Sequence, residues 1–264
     1  MTALESVVVS TPQAEGEVYL QGAHVARWTP AGQLPVLFMS SRSALALGKA
    51  IRGGVPIVFP WFGARSDGKP GPAHGWARTS LWTLVEGSAD RLAFELTDEG
   101  FHVRFEVAMG ATLDLALEVR NYTGAEARFE EALHTYLAVA DVRQVSVTGL
   151  AGVEYMDKTD GFRRTVQGPE PLRIAKETDS VYLNTAATCV VTDPGWERRI
   201  VVEKTGSAST VIWNPWIEKT AGMADMGPDD WQGMICVETA NVAENAIVLA
   251  PGATHRMTAQ IRCP

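Results

Sequence analysis

The sequence predicts an all-β protein, and three observations support this fold class. Apolar residues alternate with polar residues along several segments, which is typical of strands with one buried face. Many short segments of this kind follow one another, separated by clusters of Gly, Pro, Asn and Asp. Helix signals are few. Together these observations indicate a β-sandwich or a β-barrel.

The strongest alternation predicts a hairpin in the middle of the chain. Apolar side chains occupy every second position of residues 101–109 and again of residues 113–119. Gly110 lies between the two segments and is expected in the turn that joins them. Residues 121–124, Asn-Tyr-Thr-Gly, then predict a turn at the end of the second strand.

The remaining strand signals are short and spread over the whole chain. They lie at residues 7–9, 18–20, 36–39, 81–85, 92–96, 133–139, 145–147, 190–192, 200–202, 211–213, 234–238, 247–249 and 258–261. A short helical segment is expected within residues 221–231. The Pro- and Gly-rich residues 66–72 are expected to form a surface loop. No linker, repeat or charge block divides the sequence, so residues 1–264 are expected to form a single domain.

Charge and composition argue against several function classes. The chain has 264 residues, of which 23 are Lys or Arg and 31 are Asp or Glu, giving a net charge of −8. An acidic protein is a poor partner for nucleic acid, and taken alone the charge also disfavours an anionic ligand. No apolar run reaches the roughly 20 residues that span a bilayer. The first residues lack the pattern of a secretory signal, so no membrane partner is expected.

The three cysteines are predicted to be free thiols. Cys189, Cys236 and Cys263 are odd in number, widely spaced and form no Cys-x-x-Cys pair. This usage is typical of a reducing compartment, so we expect a cytoplasmic protein. The same spacing gives no sign of a zinc site, and no metal is expected.

Two basic segments interrupt the strand pattern with residues that suit an anion. Arg52 precedes two glycines, which let a ligand approach the backbone, and a guanidinium offers a fork of donors. His74, Trp76 and Arg78 are spaced by two, so an extended chain would present all three on one face. Each pattern equally fits an ordinary turn or a half-exposed strand whose Trp packs in the core.

A histidine and a glutamate lie in two other strand-like segments. His134 shares a predicted strand face with Tyr136, and Glu238 ends the apolar run of residues 234–237. Burying a carboxylate in a strand is costly unless it is paired, and such groups are frequent at functional sites. The sequence does not show whether His134 and Glu238 meet, and a lone strand histidine is more often structural. The Trp-rich residues 211–219 fit either an aromatic wall for a sugar or core packing.

In their shared order and spacing, these motifs resemble the hexose-6-phosphate mutarotase branch of the aldose 1-epimerase family, also called glucose-6-phosphate 1-epimerases. The resemblance extends from Leu20 to Ile261. It rests on Gly-Lys-Ala-Ile-Arg-Gly-Gly-Val-Pro at 48–56, His-Gly-Trp-Ala-Arg at 74–78, Glu-Ala-Leu-His-Thr-Tyr at 131–136, residues 149–158, residues 177–182, Val-Ile-Trp-Asn-Pro-Trp at 211–216 and Cys-Val-Glu-Thr-Ala-Asn-Val at 236–242.

The resemblance implies a galactose-mutarotase-like β-supersandwich of two large antiparallel sheets with few short helices. It implies that His134 is the general acid for the ring oxygen and that Glu238 is the general base for the anomeric hydroxyl. Two arginines would hold the 6-phosphate, while a histidine and an aspartate would bind the sugar. These implied substrate-binding residues are Arg52, Arg78, His74 and Asp179, with Lys49 and Lys219 as weaker candidates near the phosphate.

The implied reaction is mutarotation, in which the sugar ring opens and closes to exchange its α and β anomers. Opening removes a proton from the C1 hydroxyl and delivers one to the ring oxygen, so an acid and a base suffice and no cofactor is expected. From ordinary pKa values we expect Glu238 to start ionised and His134 to start protonated. The expected partner is a small sugar phosphate, bound by a monomer.

Three other functions remain open from the sequence. An aldose 1-epimerase for unphosphorylated sugars would use the same acid–base pair but leave both arginines without an anion. A non-catalytic sugar-phosphate-binding protein would share the fold, because fold does not dictate function. A glycosidase would need two carboxylates that flank a bond. The candidate carboxylates are Glu130, Glu131, Asp179 and Glu238.

Overall fold

A computed structural model describes residues 4–65 and 67–264. Ser66, the first residue of the predicted surface loop, and residues 1–3 lie outside the described residues. The strands are, in chain order, β1 Ser6–Ser10, β2 Ala14–Tyr19, β3 His24–Pro30, β4 Ile57–Val58, β5 Thr83–Gly87, β6 Arg91–Asp98, β7 Phe101–Met109, β8 Thr112–Asn121, β9 Ala127–Phe129, β10 Glu131–Leu133, β11 Tyr136–Ala138, β12 Ser146–Thr148, β13 Glu154–Asp157, β14 Arg163–Val166, β15 Thr178–Tyr182, β16 Cys189–Asp193, β17 Arg198–Thr205, β18 Ser209–Asn214, β19 Met234–Asn241, β20 Ile247–Leu249 and β21 Thr254–Arg262.

Helical structure is limited to short pieces. The described residues contain one α-helix, α1 Trp216–Ala221, and 3₁₀ turns at Ala77–Thr79, Lys158–Asp160, Pro194–Trp196, Asp230–Gly233 and Ala243–Asn245. None of these helices is long and apolar enough to cross a membrane.

Two eight-stranded antiparallel sheets dominate the fold. Sheet I has the order β14-β13-β15-β18-β19-β10-β4, and β11 pairs with β19 beside β10. Sheet II has the order β12-β16-β17-β21-β8-β7-β6-β5. Strands β1, β2 and β3 form a small third sheet, and β9 pairs with β20. The predicted all-β class with two large antiparallel sheets is confirmed.

The predicted hairpin lies at the centre of sheet II. Strands β7 and β8 pair from Phe101 opposite Asn121 to Met109 opposite Leu113. Every second residue of β7 is buried, as the alternation in the sequence predicts. These inward side chains join residues of sheet I, including Ile235 on β19, in one core cluster. Sheets I and II therefore share one core.

The helix predicted within residues 221–231 is wrong in position. Helix α1 ends at Ala221, and the next helical turn begins only at Asp230. The intervening Gly227-Pro228 does not favour helix, since proline disfavours the helical conformation in the residue before it. The backbone amide of Gly227 instead donates a hydrogen bond to the Asp230 carboxylate at 2.7 Å.

Two of the predicted strands are also different in the structure. Residues 36–39 form isolated bridges, Leu37 to Leu137 and Met39 to Gly53, rather than a regular strand. The strand predicted at residues 133–139 is interrupted between β10 and β11. The interruption falls at His134 and Thr135.

Candidate active site

The strand register places His134 directly opposite Glu238. On either side of this position, Leu133 of β10 opposes Thr239 of β19, and Tyr136 of β11 opposes Cys236. Two residues separate these pairs on each strand, so the register is continuous and aligns His134 with Glu238. Side chains that face each other across antiparallel strands come within contact distance. The sequence left open whether His134 and Glu238 contact each other, and the strand pairing in sheet I brings them together.

His134 and Glu238, which the sequence predicts to be an acid–base pair, lie close together and are almost completely buried. Nε2 of His134 lies 3.4 Å from Oε1 of Glu238, and their side chains are 8% and 1% exposed. The His134 ring stacks on the Tyr136 ring at 4.8 Å between centroids. Nδ1 of His134 and Oε2 of Glu238 are buried without a hydrogen-bond partner among the described residues. The pair thus has polar atoms available for a ligand.

Burial shifts the pKa values of the pair in opposite directions. It lowers the pKa of His134 well below its usual value, and His74, Arg78 and Arg52 lower it further. Burial also raises the pKa of Glu238 well above its usual value, and the charge of Asp179 adds to this effect. The free site therefore favours protonated Glu238 beside neutral His134. This proton position is opposite to the expected one, although one proton is shared in both arrangements.

The segment around His74 is not the extended strand that the spacing predicted. His74 and Gly75 both have positive φ, 65° and 76°, and a Cβ on Gly75 would lie 1.9 Å from the carbonyl oxygen of Phe59. This bend therefore requires glycine. It places His74 and Arg78 at a cavity, while Trp76 packs edge-on against Phe59 in the core. The predicted common face is wrong, but two of its three residues reach the site.

His74 presents a hydrogen-bond donor to this cavity. Its Nδ1 accepts a hydrogen bond from the backbone amide of Gly63 at 3.3 Å. Burial lowers the pKa of His74 to about 3, and the positive charges of Arg78, Lys158 and Arg52 contribute. The ring is therefore neutral near pH 7, with its proton on Nε2, the nitrogen that does not accept from Gly63.

Both predicted arginines line the same cavity as His134 and Glu238. Nε and Nη2 of Arg52 donate to Oδ2 of Asp225 at 3.2 and 3.0 Å, and Nη1 donates to the Tyr136 hydroxyl at 2.9 Å. Arg78 donates from Nη2 to the carbonyl of Ala73 at 2.7 Å. Its Nε is buried and has no hydrogen-bond partner among residues 4–65 and 67–264. This unused donor suits an incoming anion.

Asp179 also reaches the cavity, and it is paired with a lysine that the sequence analysis missed. Oδ2 of Asp179 lies 3.0 Å from Nζ of Lys158, which also lies over the Phe62 ring at 4.9 Å from its centroid. Lys158 lies in a segment that supported the family resemblance, but no spacing rule links it to Asp179. The pairing of β13 with β15 brings the two segments together.

The cavity has a volume of about 380 Å³ and an opening that is partly cationic. Lys219 lines it and donates to Glu177 at 2.7 Å. Lys49 is exposed and does not line it, because the loop before Arg52 carries its side chain elsewhere. The complete lining is Arg52, Phe62, Ala73, His74, Arg78, His134, Lys158, Asp179, Trp213, Lys219, Met223 and Glu238. Trp213 forms one wall, as the Trp-rich segment allowed.

Comparison with known proteins identifies the family. The family model described as "Aldose 1-epimerase" matches residues 5–262. The chain belongs to the aldose 1-epimerase family. An Escherichia coli K12 protein named "Putative glucose-6-phosphate 1-epimerase" is 36% identical over 266 residues, covering 96% of this chain and 88% of that protein.

Solved structures of related proteins agree with membership of the aldose 1-epimerase family. The crystal structure of "a putative mutarotase" from Salmonella typhimurium is 32% identical, has a TM-score of 0.90 and covers 100% of this chain and 91% of that chain. A "galactose mutarotase related enzyme" from Lactobacillus acidophilus is 12% identical, with a TM-score of 0.79 and coverage of 98% and 97%. The second likeness shows the fold alone and confirms the galactose-mutarotase-like architecture.

The family assignment is consistent with the positions of the other candidate carboxylates. Glu131 is fully buried and lies 2.9 Å from Nε2 of His255, remote from the cavity lining. Glu130 accepts hydrogen bonds from the backbone amides of Phe62 and Ala243. Both glutamates are therefore engaged in holding the fold. Neither is among the described residues that line the cavity. Of the four candidate carboxylates, Asp179 and Glu238 do line it, and Asp179 is paired with Lys158.

Proposed function

We propose that this aldose 1-epimerase family member is a hexose-6-phosphate mutarotase and that glucose 6-phosphate is its substrate. One observation carries the proposal. Nε2 of His134 and Oε1 of Glu238 lie 3.4 Å apart, and the cavity that holds them is also lined by Arg52 and Arg78. His134 and Glu238 suit proton transfer at the two oxygens bonded to C1 of a sugar, and the arginines suit a phosphate. The Escherichia coli relative, which is named "Putative glucose-6-phosphate 1-epimerase", supports the same substrate.

The reaction requires two proton transfers at neighbouring oxygens. The C1 hydroxyl loses a proton, the bond between C1 and the ring oxygen breaks, and the ring oxygen gains a proton. Rotation about the C1–C2 bond then presents the other face of the aldehyde, and closure reverses the transfers. Both oxygens are bonded to C1, so two adjacent groups such as His134 and Glu238 reach them together.

In this proposal the shared proton moves between the pair during each turnover. Ionised Glu238 takes the C1 hydroxyl proton while protonated His134 gives its proton to the ring oxygen. This leaves protonated Glu238 beside neutral His134, which is the arrangement that burial favours in the free site. Closure of the ring on the other face uses these groups in exchanged roles. No proton has to come from solvent within a turnover.

The other predicted residues are proposed to orient the sugar phosphate. Arg52 and Arg78 bind the phosphate, with Lys219 near the cavity opening. His74 donates from Nε2 to a sugar oxygen, and Asp179 accepts from a sugar hydroxyl while Lys158 holds it in place. The indole of Trp213 is proposed to stack on the sugar ring, because the C–H groups of the sugar form an apolar face.

We also propose that the chain acts as a single-domain monomer in the cytoplasm. The cavity is lined by residues of one chain, so the proposed site needs no second copy. The core cluster draws on both large sheets, which supports a single domain. All three cysteines are free and buried, which suits a reducing compartment.

The function is tested by measuring anomer exchange of glucose 6-phosphate, galactose 6-phosphate and glucose by NMR, above the uncatalysed rate. We expect fastest exchange with a hexose 6-phosphate, and Glu238→Gln should lower the catalysed rate by about 10²–10⁴-fold. Gln has the shape of the protonated carboxyl that the free site favours, so the melting temperature should stay near that of the native chain. Glu203→Gln, on the remote sheet II, is the matched control.

Three results would contradict the proposal in different ways. Binding of glucose 6-phosphate without any accelerated exchange indicates a non-catalytic binding protein. Equal efficiency with glucose and glucose 6-phosphate indicates an aldose 1-epimerase for unphosphorylated sugars. Substantial exchange by the folded Glu238→Gln variant removes Glu238 from the proposed acid–base pair.

A further inference from the structure

A sulfur atom lies beside the proposed acid–base pair and has no part in the mechanism above. One imidazole nitrogen of His134, Sγ of Cys236 and one carboxylate oxygen of Glu238 all lie within 4.8 Å of one another. Cys236 and Glu238 are two residues apart on β19 and therefore share a face of sheet I. All three residues are buried, and the thiol is free.

We propose that His134, Cys236 and Glu238 form an inhibitory binding site for a thiophilic divalent cation, for which Zn²⁺ is the probe. Zinc binds imidazole nitrogen, thiolate sulfur and carboxylate oxygen at about 2.0–2.3 Å in tetrahedral sites. Ligand atoms around such an ion are therefore roughly 3–4 Å apart. The observed separations approach this geometry. His134 and Glu238 also line the cavity, whereas Cys236 is buried beside them.

The charges of the ligand set match the ion. A thiolate and a carboxylate together neutralise a divalent cation, so binding places no net charge in the buried site. The protons held by the thiol and by the acid–base pair leave to solvent as the metal bonds form. Nδ1 of His134 and Oε2 of Glu238 are nine-tenths or more buried and lack hydrogen-bond partners among the described residues. An ion that binds these two atoms would therefore break no hydrogen bond that the described residues make to them.

Arg52 and Arg78 argue against a metal ion that is permanently bound at this site. Both guanidinium groups line the same cavity and repel a cation. Zn²⁺ would occupy His134 and Glu238, the groups proposed to act on the C1 oxygens, so the ion and a sugar phosphate should compete. The inhibitory consequence rests on the function proposed above, whereas the metal binding does not.

Direct binding is tested by titrating the purified chain with Zn²⁺ against a chromophoric chelator. We expect one Zn²⁺ per chain, and Cys236→Ser should weaken binding by at least the roughly 10–100-fold typical for loss of a residue that supports a metal site. Cys189→Ser removes a buried thiol from sheet II and should bind as the native chain does. With Co²⁺ as the probe, a sulfur-to-cobalt absorption band should appear in the native chain and in Cys189→Ser only.

Different results would reject the metal site and its inhibitory effect. No stoichiometric binding, or equal affinity in the two serine variants, rejects the site. Cys236→Ala replaces Cys236→Ser if circular dichroism shows that the serine variant is unfolded. If Zn²⁺ binds but the native chain exchanges no sugar anomers, the proposed function fails and the metal site stands. If the chain is active, Zn²⁺ should raise the apparent KM, and inhibition that is unchanged by the sugar phosphate concentration rejects competition.

Discussion

At the residue scale, the position of one proton connects the electrostatics of the site with its proposed chemistry. Burial favours the neutral forms of both His134 and Glu238, and Arg52 and Arg78 add to the effect on His134. A phosphate bound by these arginines would offset their charge. In the proposed complex the pKa of His134 would therefore rise, and the pKa of Glu238, which the charge of Arg78 lowers, would rise as well, so the pair should hold its shared proton more firmly.

This sharing predicts an unusual pH dependence of kcat. Independent groups with pKa values of 4.5 for Glu and 6.5 for His would be correctly charged only between those values, and kcat would fall above 6.5. Because burial raises the pKa of Glu238, the pair should keep its proton to higher pH. Because burial lowers the pKa of His134, a second proton should bind only well below 6.5. We therefore expect a plateau through neutral pH.

The profile is measured as kcat at saturating substrate, because the phosphate itself titrates near a pKa of about 6 and affects KM. Glucose, if turned over, provides a substrate without that ionisation. A narrow maximum below pH 6.5, with kcat falling through neutral pH, would mean that the pair titrates as two ordinary groups.

The residue types at the site were largely predictable, whereas their partners were not. Arg52 next to glycines and Glu238 at the end of an apolar run are unusual enough to be noticed in the sequence. The hydrogen bonds from Arg52 to Asp225 and Tyr136 join segments far apart in the chain. Such contacts depend on sheet topology, which alternation of apolar residues does not encode.

At the scale of elements, the alternation of apolar and polar residues predicted which residues share a strand face, but it did not predict which strands are neighbours. It placed His134 and Tyr136 on one face, and the structure stacks their rings. The opposition of His134 to Glu238 required the pairing of β10 and β11 with β19. The same rule failed at His74, because a positive φ at two successive residues ends the extended geometry on which the rule depends.

One buried network joins the two large sheets and predicts a pH-dependent stability. Oε1 of Glu131 on β10 accepts from Asn241 on β19 at 2.8 Å and lies 2.9 Å from Nε2 of His255 on β21. Burial lowers the pKa of His255, but the hydrogen bond and charge of Glu131 outweigh it, and the net pKa is raised. The stabilisation is fully present below the unfolded pKa and is lost as pH rises through the folded one.

The variant His255→Gln should therefore lower the free energy of unfolding by about 1.5–3 kcal/mol near pH 6, with a smaller loss near pH 9. Urea denaturation at both pH values measures this difference. The matched control is His102→Gln, which breaks a half-exposed pair with Glu95 on sheet II and should cost no more than about 1 kcal/mol. An equal loss for His255→Gln at both pH values would show that the protonated imidazole is not what stabilises the contact.

At the scale of the whole molecule, net charge and local charge have opposite signs. The chain carries −8 overall, yet the cavity lining contains four cationic residues, Arg52, Arg78, Lys158 and Lys219, and two acidic ones, Asp179 and Glu238. Asp225 and Glu177 pair with Arg52 and Lys219 and reduce this positive excess, whereas burial of Glu238 favours its neutral form and preserves part of it. A cleft of one sign focuses the potential and attracts an anion despite the acidic total. The total charge therefore does not describe the pocket.

Binding of the anionic substrate in this cavity is expected to raise the melting temperature of the whole fold. Ligand at about 100 times its Kd stabilises the folded state by about 2.7 kcal/mol, and each kcal/mol raises the Tm of a domain of this size by roughly 2–4 °C. Saturating glucose 6-phosphate should thus raise Tm by about 5–10 °C in a single unfolding transition, with glucose at the same concentration causing a much smaller shift. Scanning calorimetry measures both shifts and the number of transitions.

The arginines are tested by repeating the measurement on the Arg52→Ala/Arg78→Ala variant. Each charge-assisted hydrogen bond contributes roughly 1.5–3 kcal/mol, so loss of both should weaken glucose 6-phosphate binding by at least about 100-fold. The Tm shift at the original concentration should then nearly vanish, while the response to glucose is little changed. An unchanged shift would place the phosphate elsewhere, and two unfolding transitions would contradict the single domain, because a core shared by both sheets unfolds cooperatively.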